Sequence, residues 1–130
     1  MTDSTGNAAY IAADLLSQAE HGVDSQVVLV AVGITDDHLD SITKELDAQA
    51  RALPRVDIVR ESIPKSIIVR TSSLDEGITF SNDYAPEHLI LHLQNAPSVV
   101  AKIDNAGSVF VGSFTPERYS SSFNDLVDSI

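Results

Sequence analysis

Gln26-Val27-Val28-Leu29-Val30-Ala31-Val32 is apolar after its first residue and mostly β-branched, and it has the length of one strand. A strand that is apolar on both faces must be covered on both faces, which is the habit of parallel sheets flanked by helices. On its amino side, Ala8, Ile11, Ala12, Leu15, Leu16 and Ala19 recur at helical spacing. Asn7 is placed to cap that helix, and Gly22 reads as the residue just past its end, with His21 in the last turn. Met1 to Gly6 is small and polar and is expected to fray.

On the carboxyl side, Thr35 opens a second helix, with Asp36 and Asp37 set against its N-terminal dipole. Leu39, Ile42, Leu46, Ala50 and Leu53 form its inner stripe, and Pro54 ends it. A short helical piece over Val56 to Ser62 is cut off by Pro64, and Ser66 to Thr71 reads as the second strand. Ser73 and Glu76 fit a capping box for a helix that runs to about Tyr84. Pro86 pushes the residue before it out of the helical region, so the chain turns there into a strand from His88 to Leu93. A helix with Pro97 in its first turn follows, then a fourth strand from Ser108 to Val111. Regular alternation of helix and strand with short connections predicts an α/β fold in three layers around a mainly parallel four-stranded sheet.

At 130 residues one domain is expected. The net charge of −11 and a pI of about 4.4 argue against nucleic acid and anionic membranes as partners, since both are bound by clustered Lys and Arg. With no cysteine, disulfides and thiolate metal sites are excluded. Nothing approaches a membrane span, and Met1 to Asn7 lacks the layout of a signal peptide, so a cytoplasmic protein is the default.

Glu87 and His88 stand side by side at the helix-to-strand junction, where a carboxylate can polarise a water and an imidazole can move a proton near neutral pH. The residues alone favour the plainer reading, a solvated surface pair, since most charged residues are exposed. Gln18 and His21 share one face of the first helix end, so both can reach one metal ion; the plainer reading is a solvated helix end that suits His. His92 is expected to pack or to be partly exposed, and His38 to be solvated. No G-x-G-x-x-G follows any strand, so a dinucleotide fingerprint is absent.

Three stretches, in order, carry a resemblance. They are Leu15-Leu16-Ser17-Gln18-Ala19-Glu20-His21-Gly22 with Asp24-Ser25-Gln26-Val27, then Ala85-Pro86-Glu87-His88-Leu89, then Asn105-Ala106-Gly107-Ser108-Val109-Phe110-Val111-Gly112 running on to Thr115-Pro116-Glu117. Together they resemble histidinol dehydrogenase, nearest to the fungal form in which this enzyme is the last part of a multifunctional histidine-biosynthesis protein. The resemblance spans Asp3 to Glu117 and implies an incomplete, Rossmann-like part of that fold, with residues 1–117 as a partial domain and 118–130 as a divergent tail. It implies oxidation of L-histidinol to L-histidine in two NAD-dependent steps, by a homodimer with one zinc per site. By position, Gln18 and His21 match two zinc ligands that also lie against substrate. His88 matches the base of the alcohol oxidation and a substrate contact, and Glu87 matches the residue that activates water.

The departures are as informative. A further zinc ligand of the family, an Asp, has its place at Ser121, and a last His ligand falls beyond Ile130. The part that binds most of the NAD is also missing, so cofactor-binding residues are expected to be absent and the isolated chain to be inactive. A second reading, of another class, is a non-catalytic α/β remnant or dimerisation module with apolar surface left exposed. A small ligand-binding α/β domain unrelated to histidine synthesis would leave three ordered matches to chance.

Overall fold

A computed structural model describes residues 1–112. The elements follow the alternation read from the sequence: α1 (Ala8–Ala19), β1 (Val28–Val32), α2 (Asp36–Arg51), α3 (Val56–Ser62), β2 (Ile67–Thr71), α4 (Leu74–Tyr84), β3 (His88–Leu91), α5 (Ala96–Val100) and β4 (Ser108–Val111). Three side chains cap helices as their chemistry dictates. Asn7 accepts from the Tyr10 N–H, Thr35 from the His38 N–H and Ser73 from the Glu76 N–H. The capping box is shifted by one residue, because Glu76 reaches back to the N–H and hydroxyl of Ser72. α1 closes earlier than expected: Glu20 is its C-cap, so His21 lies in the turn beyond the helix.

All strand pairs are parallel, but the expected four-stranded sheet is two pairs, β1 with β2 and β3 with β4. The amino terminus joins them. Thr2 makes a parallel bridge to Ala31 of β1 on one side and to His92, just past β3, on the other. Met1 to Gly6 therefore does not fray as a unit; Met1 is 7% exposed and Thr2 is fully buried. Composition misled here, because the burial comes from two strand edges that are remote in sequence and need backbone groups to pair with.

Side-chain alternation along β1 divides the core into two faces. Leu29 and Ala31 pack with Ile11 of α1, Ile42 of α2 and Ile34. Val30 and Val32 pack on the opposite face with Ile78 of α4, Val99 and Val100 of α5, and Leu89, Leu91 and Val109 of the second strand pair. Helices thus cover both faces, giving the three layers expected. β2 is the exposed edge, with Ile67 and Ile68 about half accessible at 45% and 50%. Among the described residues, no helix is long and apolar enough to cross a membrane.

Candidate active site

Glu87 and His88 are presented by a tightly made turn. α4 ends on Ala85, whose backbone is left-handed (φ 54°, ψ 63°), and its N–H caps the helix on the Ser81 carbonyl. Pro86 and Glu87 are then pinned from the other side. Gly107 N–H donates to the Pro86 carbonyl (3.0 Å) and Ser108 N–H to the Glu87 carbonyl (2.9 Å). A Cβ at position 107 would stand 2.6 Å from the Glu87 carbonyl oxygen, so only glycine allows this approach. The Glu87 carboxylate is left in solvent and the His88 ring is about one-third exposed, with Oε1 to Nε2 at 3.9 Å, beyond hydrogen-bond range. The ring leans on Phe110 at 5.8 Å between centroids. The pair is therefore held by backbone, with each side chain free to meet a ligand.

Glu87, His88 and Gln18 line one cavity of about 350 Å³, at the low end of the range for small-molecule sites. Gln18 is supplied by α1, and Glu87 and His88 by the turn into β3. His21 does not line it; its ring is exposed one turn on, and its N–H is bonded to the Gln18 carbonyl (3.1 Å). The structure thus brings three of the four candidates to one cavity and leaves the fourth at its rim in sequence.

The same cavity is lined by Asp14, Tyr84 and Gln26, which the sequence reading passed over, and by His92, which was expected to pack or be partly exposed and is buried. His92 Nε2 and Asp14 Oδ2 are 2.6 Å apart, and both residues are buried. Asp14 is one helical turn before Gln18, and His92 is on the same strand parity as His88; each spacing was a usable signal. Tyr84 donates its hydroxyl to Gln26 Oε1 (2.7 Å), and both line the cavity. His38, expected to be solvated, is half-buried with Nε2 at 3.0 Å from the Gly6 carbonyl oxygen. It belongs to the packing of the amino terminus and not to this site.

A Gln oxygen and a His nitrogen are both donors that zinc accepts, so Gln18 and His21 suit half of a four-donor set. Among the described residues, no group of three or more His, Cys, Asp or Glu is gathered to complete one. Among the described residues, two helix starts do not suit a dinucleotide. The helix N-termini that follow β1 and β2 carry Asp36 with Asp37 and Asp75 with Glu76, which repel a pyrophosphate where such folds usually bind it.

Comparison with known proteins agrees with the resemblance. The family model described as histidinol dehydrogenase matches residues 1–124. The histidine biosynthesis trifunctional protein of Neurospora crassa is 50% identical over 127 residues, which is 95% of this chain and 15% of that protein. The histidinol dehydrogenase of Schizosaccharomyces pombe is 48% identical over 116 residues, 89% of this chain and 26% of the relative. The crystal structure of histidinol dehydrogenase from Elizabethkingia anophelis superposes with a TM-score of 0.81 at 43% identity, covering 88% of this chain and 26% of that one. The chain thus spans about a quarter or less of the length of these relatives.

Proposed function

Because the chain belongs to the histidinol dehydrogenase family, we propose that it supplies the proton-handling part of a site that oxidises L-histidinol to L-histidine. The observation that carries this reading is that Gln18, Glu87 and His88, far apart in sequence, border one cavity. In this account His88 is the base. Its ring is partly shielded by Phe110 yet open to a ligand, and an imidazole accepts the alcohol proton near neutral pH. Glu87 is solvated and held by backbone at the same mouth, so it can take a proton from a water that adds to the aldehyde carbon. Gln18 and His21 are the residues that would hold zinc. A bound zinc would polarise the substrate oxygen and orient the amino alcohol. On this reading the hydride acceptor and the rest of the metal's donors would be held by parts of the longer enzyme outside the described residues. The same reading makes the longer enzyme a zinc- and NAD-dependent cytoplasmic homodimer, with residues 118–130 as a divergent tail outside the described residues.

The test is a chimera. Residues 1–112 of this chain replace the matching segment of the S. pombe relative, and histidinol-dependent NAD reduction is followed. The chimera is expected to turn over, and His88→Ala or Glu87→Gln within it to lower kcat by roughly 10²- to 10⁴-fold. A folded chimera whose rate ignores both substitutions would sink the assignment.

A further inference from the structure

The turn that carries Glu87 and His88 is pinned to β4 by Gly107 and Ser108, and a second fastening lies just behind it. Pro86 has no N–H, so the carbonyl of Asn82, four residues earlier in the last turn of α4, has no donor along the helix. The Asn105 side-chain amide donates to that carbonyl instead (3.2 Å). Asn82 returns the contact with its own side chain. Its Oδ1 accepts from Asp104 N–H (2.8 Å) and Asn105 N–H (3.4 Å), and its Nδ2 donates to the Lys102 carbonyl (3.1 Å). One carboxamide thus meets three backbone groups of the connection between α5 and β4, which takes an acceptor and a donor on one short stem. On either side of the clamped residues, Ile103 and Ala106 pack into the core, so this connection is fixed from within and from Asn82.

We propose that Asn82 is a positioning residue for Glu87 and His88. Its carboxamide holds the entry to β4 against the end of α4, and through Gly107 and Ser108 it sets where the Glu87–His88 backbone stands. None of its hydrogen bonds goes to Glu87 or His88, and it does not line the cavity, so its action passes through the backbone. The path is short. Two residues separate Asn105 from Gly107, whose N–H holds the Pro86 carbonyl, and Ser108 N–H holds the Glu87 carbonyl. Gly107 lies so close to the Glu87 carbonyl oxygen that a shift of residues 104–106 is passed on to Glu87. On the other side, the chain from Asn82 to Pro86 runs through the left-handed Ala85, so the two fastenings close a small ring of backbone around that residue. The positioning stands on these bonds alone; its effect on rate rests on the proton-handling role proposed above.

Amide exchange in the 130-residue chain reads the positioning without any turnover. Asn82→Ala is expected to speed exchange of the Gly107 and Ser108 amides by about tenfold or more. It is expected to leave Gly112 N–H, which donates to the Leu91 carbonyl past the far end of β4, within about twofold. Asn82→Asp keeps an oxygen for the Asp104 and Asn105 amides and is expected to restore slow exchange at both sites. Asn105→Ala is a milder change that removes only the return bond, and a smaller rise at the same two amides is expected. In the chimera, Asn82→Ala is expected to lower kcat by about tenfold or more with KM for NAD unchanged, and Asn82→Asp to recover most of the rate. Unchanged exchange at Gly107 and Ser108 in both Ala variants overturns the proposal. So does an equal rise at Gly112, which would make Asn82 a support of the whole fold. A normal kcat in Asn82→Ala where His88→Ala is slow overturns it as well. If both variants turn over normally, the proton-handling role has failed, and the exchange result decides the positioning by itself.

Discussion

Single residues fix how the catalytic candidates are presented. Ala85 holds a left-handed backbone that costs an ordinary L-residue about 1 kcal/mol relative to glycine. Ala85→Gly is therefore expected to stabilise the chain by about 1 kcal/mol in urea unfolding, while Ala85→Val is expected to destabilise it. Gly107 works in the opposite sense. Its missing side chain lets two strands' entry turns meet, and Gly107→Ala must push the Glu87 backbone away. A loss of roughly 1–3 kcal/mol is expected, with a fall in chimera kcat because Glu87 and His88 move together. Gly112 lies as closely against the His92 ring, so Gly112→Ala should break the bond from His92 to Asp14, readable as a shift of the His92 ring signals in NMR. At this scale the sequence showed residue types and local spacing well. Glu87–His88 and Gln18–His21 could be picked out because their partners are near in sequence. Asp14 and His92 are 78 positions apart, so their pairing shows only in the fold, although each residue's local spacing could have marked it.

Elements were legible wherever a local signal sets their ends. Asn7, Thr35 and Ser73 each cap the helix they were expected to cap, and truncating any of them to Ala is expected to cost about 1 kcal/mol. The segment Met1 to Asp3 was not legible, since three residues have no period and their pairing is entirely non-local. It carries a pH dependence of the fold. Burial lowers the Met1 amine to about 5 from 8.0, so between those values the unfolded chain binds the proton and the folded chain does not. Stability must then rise with pH from about 5 to 8 and fall on acidification through that window, by roughly a few kcal/mol. The midpoint of urea unfolding against pH checks this, and blocking the amine by acetylation should flatten the slope. Asp3 acts lower on the scale. Burial would raise its carboxyl, but the Thr5 hydroxyl and the amides of Gln94 and Thr5 outweigh that and hold it below the usual range. Its contribution is present above the usual carboxylate pKa and is lost as pH falls through the lowered one.

For the whole molecule, the alternating order of helices and strands determined the layered architecture, and the two-pair sheet shows where that order alone falls short. Sequence order counts strands; it does not say which edges meet, and here Thr2 makes the junction. The acidic surface and the acidic helix starts keep dinucleotide phosphates away, so the 130-residue chain with histidinol, zinc and NAD is expected to form no reduced nicotinamide. Steady absorbance growth in that mixture would contradict the division of labour proposed above. The central claim is that Gln18, Glu87 and His88 border one site, with His21 three residues on from Gln18 as the second metal donor. The most direct measurement is a cobalt(II) titration of the chain, with the four histidine rings followed by NMR. Cobalt stands in for zinc at nitrogen and oxygen donors and perturbs nearby nuclei through its unpaired electrons. The account expects the His21 ring and the Gln18 side-chain amide to respond first, His88 next and His38 not at all, with the response lost in Gln18→Ala. A response centred on His38, or none at His21 and His88 up to millimolar metal, would contradict it.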